Sequence, residues 1–99
     1  MLEKVSEIIK GTIRDVDIAG RYGGEEFLII FPEISEEEAV RAGERLRKNI
    51  EAIEFENGIK ITVSGGVAEY RGETALELIE RADRKLYGAK ENGRNRIER

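Results

Sequence analysis

The stretch Arg21–Phe27, which reads RYGGEEF, decides how the rest of the chain is organised. A short β-prone run, residues 17–22, comes before Gly23 and Gly24, and a more apolar run, residues 27–31, comes after them. Two glycines between two strand-like runs predict a tight hairpin, because primed turns need a positive φ that glycine adopts without steric cost.

Two carboxylates, Glu25 and Glu26, follow the glycines directly. Because side chains alternate along a strand, we expect one glutamate on each side of the sheet. An acid held at a rigid hairpin tip beside bare glycine backbone suits a divalent metal and a phosphate that comes close. The alternative is a solvated turn with ordinary surface glutamates, and residue types alone favour that alternative.

Composition limits the chemistry that this chain can perform. With 99 residues, of which 39% are hydrophobic and 38% charged, it is expected to form one globular domain spanning residues 1–99. Cysteine and histidine are both absent, so any chemistry must use carboxylates, lysine and arginine. A net charge of −4 argues against a nucleic-acid binder, and no apolar run predicts a membrane contact.

Three amphipathic helices are predicted from apolar residues at helical spacing. The first opens the chain and ends near residues 11–14. The second begins at a capping box of Ser35 and Glu38, and the third begins at one of Thr74 and Glu77.

The remaining segments predict strands and turns. The pair 57–58, Asn-Gly, is a turn signal before the alternating run 59–63, which predicts a half-buried strand. The glycine pair 65–66 allows a bend or close packing of the backbone. The third helix is expected to stop at 92–93, with a short edge strand in 94–97. This order favours an α+β fold, an antiparallel sheet with helices on one face, similar to the ferredoxin-like plan without its first strand.

The string RYGGEEF resembles the signature of the GGDEF family, the diguanylate cyclases, in its GGEEF form. The later segments match the family in order, so the resemblance covers essentially all 99 residues but only the later part of the family's domain. It implies a nucleotide-cyclase palm-like fold, a cytoplasmic location, and Mg²⁺- or Mn²⁺-dependent condensation of two GTP molecules to cyclic di-GMP. On this resemblance, Glu25 and Glu26 are the catalytic and metal-binding residues, and Gly23 and Gly24 contact the substrate.

The same resemblance assigns two pairs of residues outside the hairpin. Lys90 and Arg94 match the family's contacts to the triphosphate, although cations near a helix C-terminus are also favoured by the macrodipole alone. Arg14 and Asp17 match its Arg-x-x-Asp inhibitory site for cyclic di-GMP, and the alternative is a surface ion pair of little effect. Arg21 is given a supporting part only.

The family's first strand, with a magnesium-binding aspartate, and its upstream guanine contacts have no counterpart here. We therefore predict a truncated GGDEF domain that holds magnesium weakly and is inactive by itself. Because the missing strand leaves strand edges unpaired, we predict a homodimer, with a domain swap as one way of forming it. The alternative is direct pairing of segment 59–67 with the hairpin. Two alternatives to the enzyme remain: a cyclic di-GMP-binding module that uses Arg14 and Asp17, and an inactive scaffold.

Overall fold

The fold is described from a computed structural model, which covers residues 2–24 and 26–99. Helices and strands alternate along the chain in the α+β arrangement that the sequence predicts. Over these ranges the elements are α1 Leu2–Thr12, β1 Ile18–Gly23, β2 Glu26–Ile30, α2 Glu36–Glu51, β3 Gly65–Gly66, α3 Ala75–Glu91 and β4 Ile97–Glu98.

Both predicted capping boxes are present. The Glu38 amide donates to Ser35 Oγ at 3.1 Å, and the Ser35 amide donates to Glu38 Oε1 at 3.3 Å. At the start of α3, Thr74 and Glu77 make the same reciprocal pair, with both distances at 3.2 Å. Each box satisfies amides that the first turn of a helix leaves without partners, which fixes where α2 and α3 begin.

The core lies where α1 and α2 meet the inner face of the hairpin. Its buried centre is Val5 and Ile9 from α1 with Leu46 and Ile50 from α2. Partly buried apolar side chains surround it: Ile8, Ile13, Ala19, Phe27, Ile29, Ile61 and Val63. The helical stripes predicted for the first two helices therefore face each other and the sheet.

The hairpin forms, but its glycines take different positions from those expected. Gly23 is the last residue of β1 and pairs with Glu26, so it belongs to the strand and not to the turn. An irregularity in register between Arg21 and Gly23, of the β-bulge kind, shifts the pairing. Gly24 has a φ of +51° and supplies the left-handed backbone of the turn. The prediction for Glu25 lies outside the described residues.

The predicted strand over residues 59–63 is wrong. This segment follows a 3₁₀ turn, Glu56–Gly58, and has no ladder partner within the described ranges. Since a strand is stabilised by hydrogen bonds to a neighbouring strand, the alternating pattern alone does not produce one here. Its alternation survives in part, since Ile61 and Val63 pack on the core while Ile59 is exposed.

Strand pairing confirms the predicted antiparallel sheet at the hairpin and adds a separate parallel pair of strands. Within the described ranges β1 and β2 form one two-stranded antiparallel sheet, and β3 and β4 form a separate parallel pair. The Gly65 amide donates to the Arg96 carbonyl at 2.9 Å, and the Val67 amide donates to the Glu98 carbonyl at 2.8 Å. The tail thus occupies the edge offered by residues 65–67, and no ladder joins 59–67 to the described residues of the hairpin.

Candidate functional site

The hairpin tip is fixed from within by Arg21. Its guanidinium donates to the Gly24 carbonyl and lies 5.8 Å from the centroid of the Phe27 ring. Among the described residues, chain neighbours aside, a Cβ placed on Gly23 or Gly24 would meet no atom within 4 Å. The glycine backbone at the tip is therefore open to an approaching ligand, and Arg21 holds its shape.

Of the predicted metal-binding pair, the structure describes Glu26, which is half-buried at the start of β2. Across residues 2–24 and 26–99, no three acidic side chains gather closely enough to hold a metal ion. Mg²⁺ needs near-octahedral oxygen coordination. Because Mg²⁺ is usually held by one or two carboxylates together with waters and substrate phosphates, the metal-binding role of Glu25 and Glu26 stays a prediction.

Lys90 and Arg94 lie together at the C-terminal end of α3. Lys90 is in the last helical turn, and the Arg94 amide donates to the Ala89 carbonyl at 2.9 Å just past the helix end. Both side chains are exposed, and neither has a hydrogen bond or ion pair with the part of the chain that the structure describes. Helix α3 packs on β3 and β4, so this cationic pair and the hairpin tip are carried by separate elements.

Arg14 and Asp17 form a closed pair at the loop after α1. The Arg14 guanidinium donates to Asp17 Oδ1 at 2.7 Å through one nitrogen and at 3.1 Å through Nε. The Arg14 amide also donates to Asp17 Oδ2 at 2.7 Å, and the guanidinium reaches the Pro32 carbonyl at 2.9 Å. Since the Asp17 side chain is only 1% exposed while that of Arg14 is 49% exposed, this is not an ordinary surface ion pair.

The contacts of this pair lower the pKa of Asp17 below its ordinary value. The main cause is the hydrogen bonding from the Arg14 guanidinium, helped by the Arg14 amide, while burial acts in the opposite direction. The same hydrogen bonding raises the pKa of Arg14. Both groups are therefore held in their charged forms.

Acid should release the stabilisation that Asp17 provides. A carboxyl with a depressed folded-state pKa stabilises the fold above its unfolded value, about 3.9, and loses that contribution as the pH falls through the lower folded-state value. We expect the difference in free energy of unfolding between the wild type and Asp17→Asn to be constant near neutrality and to shrink below about pH 4. Urea unfolding at stepped pH measures it.

The difference between variants is needed because two other carboxyl pKa values are lowered: that of Glu44, mainly by the Arg47 guanidinium, and that of Glu73, mainly by the Arg71 backbone amide. Asp15→Asn is the matched control, because Asp15 is exposed two residues from Asp17. A gap between the wild type and Asp17→Asn that stays constant down to acid pH would contradict this prediction.

One group of interacting residues was missed by the sequence analysis. Arg47 on α2 is 15% exposed and donates to Glu44 Oε2 at 2.8 Å and to Asn95 Oδ1 at 3.0 Å. The Asn95 side-chain amide donates to Glu51 Oε2 at 2.6 Å. The contact between Arg47 and Asn95 spans 48 positions, so no local pattern signals it.

Comparison with known proteins decides the family. A model of the GGDEF domain of diguanylate cyclases matches residues 1–96. The chain belongs to the GGDEF family. Diguanylate cyclase A of Treponema denticola is 43% identical over 102 residues, covering 98% of this chain and 28% of that protein. Diguanylate cyclase DosC of Escherichia coli strain K12 is 42% identical over 103 residues, covering 99% and 22%. The chain thus spans about a quarter of the length of these relatives.

Solved structures of GGDEF domains share the fold. The coiled coil and GGDEF domain of DgcB from Caulobacter crescentus, in complex with c-di-GMP, superposes with a TM-score of 0.92 at 32% identity, over 98% of this chain and 55% of that one. The active GGEEF domain of a diguanylate cyclase from Vibrio cholerae gives 0.90 at 32% identity, over 98% and 64%. These matches confirm the family and the fold class predicted from RYGGEEF. In the described part of this GGDEF domain, no helix is long and apolar enough to cross a membrane.

Proposed function

We propose that this GGDEF domain binds GTP and acts in the condensation of two GTP molecules to cyclic di-GMP. The observation that carries the proposal is the exposed cationic pair Lys90 and Arg94, whose charges are engaged by no described residue, in a chain of this family. Phosphoryl transfer depends mainly on positioning and charge neutralisation, and exposed cations at one helix end supply both to a triphosphate.

The hairpin supplies the other half of the proposed substrate site. The open backbone at Gly23 and Gly24 lets the ribose and phosphates lie close, and Glu25 and Glu26 are the proposed catalytic carboxylates. Binding of Mg²⁺ or Mn²⁺ by these two glutamates stays a prediction, and so does a cytoplasmic location, which follows from GTP as the substrate. A divalent cation, when bound, would neutralise phosphate charge.

Joining two GTP molecules requires two active sites that face each other, so we propose that the domain works as a homodimer. The outer face of the hairpin supports this, because the cross-strand partners Ile18 and Ile30 are 61% and 50% exposed. Apolar side chains directly opposite each other on an open sheet face favour contact with another apolar surface. Light scattering that gives only the monomer mass with nucleotide present would contradict the dimer.

Binding and turnover of GTP test the proposal together. We expect Lys90→Gln and Arg94→Gln each to weaken GTP binding about tenfold, the effect of losing one charge-assisted contact. Lys60→Gln is the control, since Lys60 is exposed and lies outside the proposed site. Calorimetry measures affinity, and chromatography of the products with Mg²⁺ present measures cyclic di-GMP.

Three outcomes separate the candidate functions. Cyclic di-GMP whose formation is abolished by Glu25→Ala would support a self-sufficient cyclase. Absence of GTP binding would contradict the cyclase proposal, and flat titrations with both nucleotides would favour an inactive scaffold.

The second candidate function is a cyclic di-GMP-binding module at Arg14 and Asp17. A specific observation favours it: the guanidinium of Arg14 is half exposed, while its partner carboxylate is buried and ionised. A planar guanidinium held by one edge leaves its face open for stacking on a guanine base or for contact with a phosphate. This candidate does not need the hairpin tip.

A further inference from the structure

We propose that Asn95 is a positioning residue, which fixes the loop carrying Arg94 so that this arginine is held ready for phosphate. The inference rests on the proposed binding of GTP by Arg94. That cation is positioned by a hydrogen-bonded group of residues, which we call the Asn95 network. Its members are Asn95 itself, Ser64 before β3, and Glu44, Arg47 and Glu51 on α2.

The loop after α3 has three consecutive residues at positive φ, and one of them, Arg94, is a residue type that disfavours it. Gly93, Arg94 and Asn95 have φ values of +116°, +62° and +48° in succession. Glycine adopts positive φ freely and asparagine enters the left-handed region more readily than most residues, but an arginine there is uncommon. Such a conformation persists only where the surroundings over-determine it, so contacts around the loop must hold it.

Asn95 supplies those contacts with three of its polar groups. Its Oδ1 accepts from Arg47 at 3.0 Å, and its Nδ2 donates to Glu51 Oε2 at 2.6 Å. Its backbone amide donates to Ser64 Oγ at 3.1 Å. One residue is thus tied to α2 twice and to the segment before β3 once, which fixes both the position and the direction of the loop.

The support for Asn95 is itself rigid. Arg47 is largely buried and is held by two bonds to Glu44 Oε2 and Oε1, at 2.8 and 3.1 Å, with Glu51 Oε1 at 3.6 Å. These bonds raise the pKa of Arg47 and lower that of Glu44, so both stay charged. Helix α2 anchors the pair because Leu46 and Ile50 beside them lie in the core.

Arg94 is left free by this arrangement. Its amide closes α3 by donating to the Ala89 carbonyl, and its own carbonyl accepts from Arg96 at 3.2 Å, while its side chain is exposed. A cation on a fixed backbone gives up less conformational freedom when it binds. Losing Asn95 should therefore weaken phosphate binding even though Arg94 itself remains.

Three variants separate the side-chain bonds from the backbone preference. Asn95→Ala removes the side-chain bonds and disfavours positive φ, while Asn95→Gly removes the bonds and keeps positive φ accessible. Asn49→Ala is the matched control, because it makes the same kind of deletion on α2, where the one side-chain hydrogen bond of Asn49 to a described residue is to Thr12 Oγ1 at 3.5 Å.

Two readouts are measured on each variant. The hydrogen-exchange rate of the Arg94 amide reports how firmly the loop is held and is measured without nucleotide. Calorimetry measures the affinity for GTP. We expect both Asn95 variants to speed this exchange and to weaken GTP binding about tenfold, as Arg94→Gln does. In an Arg94→Gln background we expect Asn95→Gly to add less than about twofold, because the two residues act through one contact.

The outcomes keep the two proposals apart. Wild-type exchange and GTP affinity in Asn95→Gly would overturn the positioning role, and so would fully additive losses in the double variant. If the wild type itself binds no GTP, the proposed function fails, while faster exchange in Asn95→Gly would still support the network as the element that fixes the loop.

Discussion

Replacing Gly66 by alanine should destabilise the domain by about 3 kcal/mol or more, the upper range for an overpacked site. A Cβ at this position would lie 2.2 Å from the Ala82 carbonyl oxygen and 2.3 Å from the Leu86 amide nitrogen. Both atoms belong to the backbone of α3, so no side-chain rotation relieves the clash, and the helix must move off β3. Urea unfolding followed by circular dichroism measures the loss.

Two other glycines serve as controls for this effect. A Cβ at Gly65 would meet the Ile97 Cδ1 atom at 2.8 Å, and because that atom ends a flexible side chain, Gly65→Ala should be milder than Gly66→Ala. A Cβ at Gly11 in α1 would have no neighbour within 4 Å, so Gly11→Ala should be neutral or stabilising by up to about 1 kcal/mol. Equal losses at Gly65 and Gly66 would contradict the argument from backbone contact.

Arg14→Ala should reduce the affinity for cyclic di-GMP about a hundredfold. The substitution removes both the positive charge and the planar face of the guanidinium. Losing charge-assisted hydrogen bonds worth about 3 kcal/mol corresponds to a roughly hundredfold loss of affinity. The ligand must approach a guanidinium already bonded to Asp17 through one edge, so the exposed remainder of Arg14 is the surface that it can contact. Calorimetric titration of the purified chain measures the change.

This experiment needs controls for folding, because Arg14→Ala leaves the buried carboxylate of Asp17 without its partner. Arg14→Lys keeps the charge but not the planar fork, and we expect it to bind cyclic di-GMP weakly as well. Arg41→Ala, which removes an exposed arginine on α2, should bind like the wild type. Unchanged affinity in a folded Arg14→Ala or Arg14→Lys variant would remove the proposed site.

Local patterns in the sequence determined where α2 and α3 begin. Ser35 with Glu38 and Thr74 with Glu77 predicted the two capping boxes, since all their partners lie within three positions. The close packing suggested for the Gly65–Gly66 pair is confirmed at α3. The Arg-x-x-Asp spacing indicated that Arg14 and Asp17 form a pair, and their side chains are in direct contact in the structure.

The sequence also indicated the family, because RYGGEEF is a contiguous signature. The roles of Glu25, Glu26, Lys90 and Arg94 stay predictions, since those assignments depend on a bound nucleotide. The elements that carry them are fixed by local signals: a hairpin with a glycine in its turn, and a helix that stops at Asn92.

Only the tertiary structure decided that β3 pairs with β4 and what holds the loop after α3. The alternation in residues 59–63 indicates an extended segment but cannot supply a neighbouring strand, and the pairing of β3 with β4 depends on where α3 returns the chain. The contacts of Asn95 with Ser64 and Arg47 span 31 and 48 positions. Periodicity and capping act within a few residues, whereas these partners meet only after the helices have packed on the core.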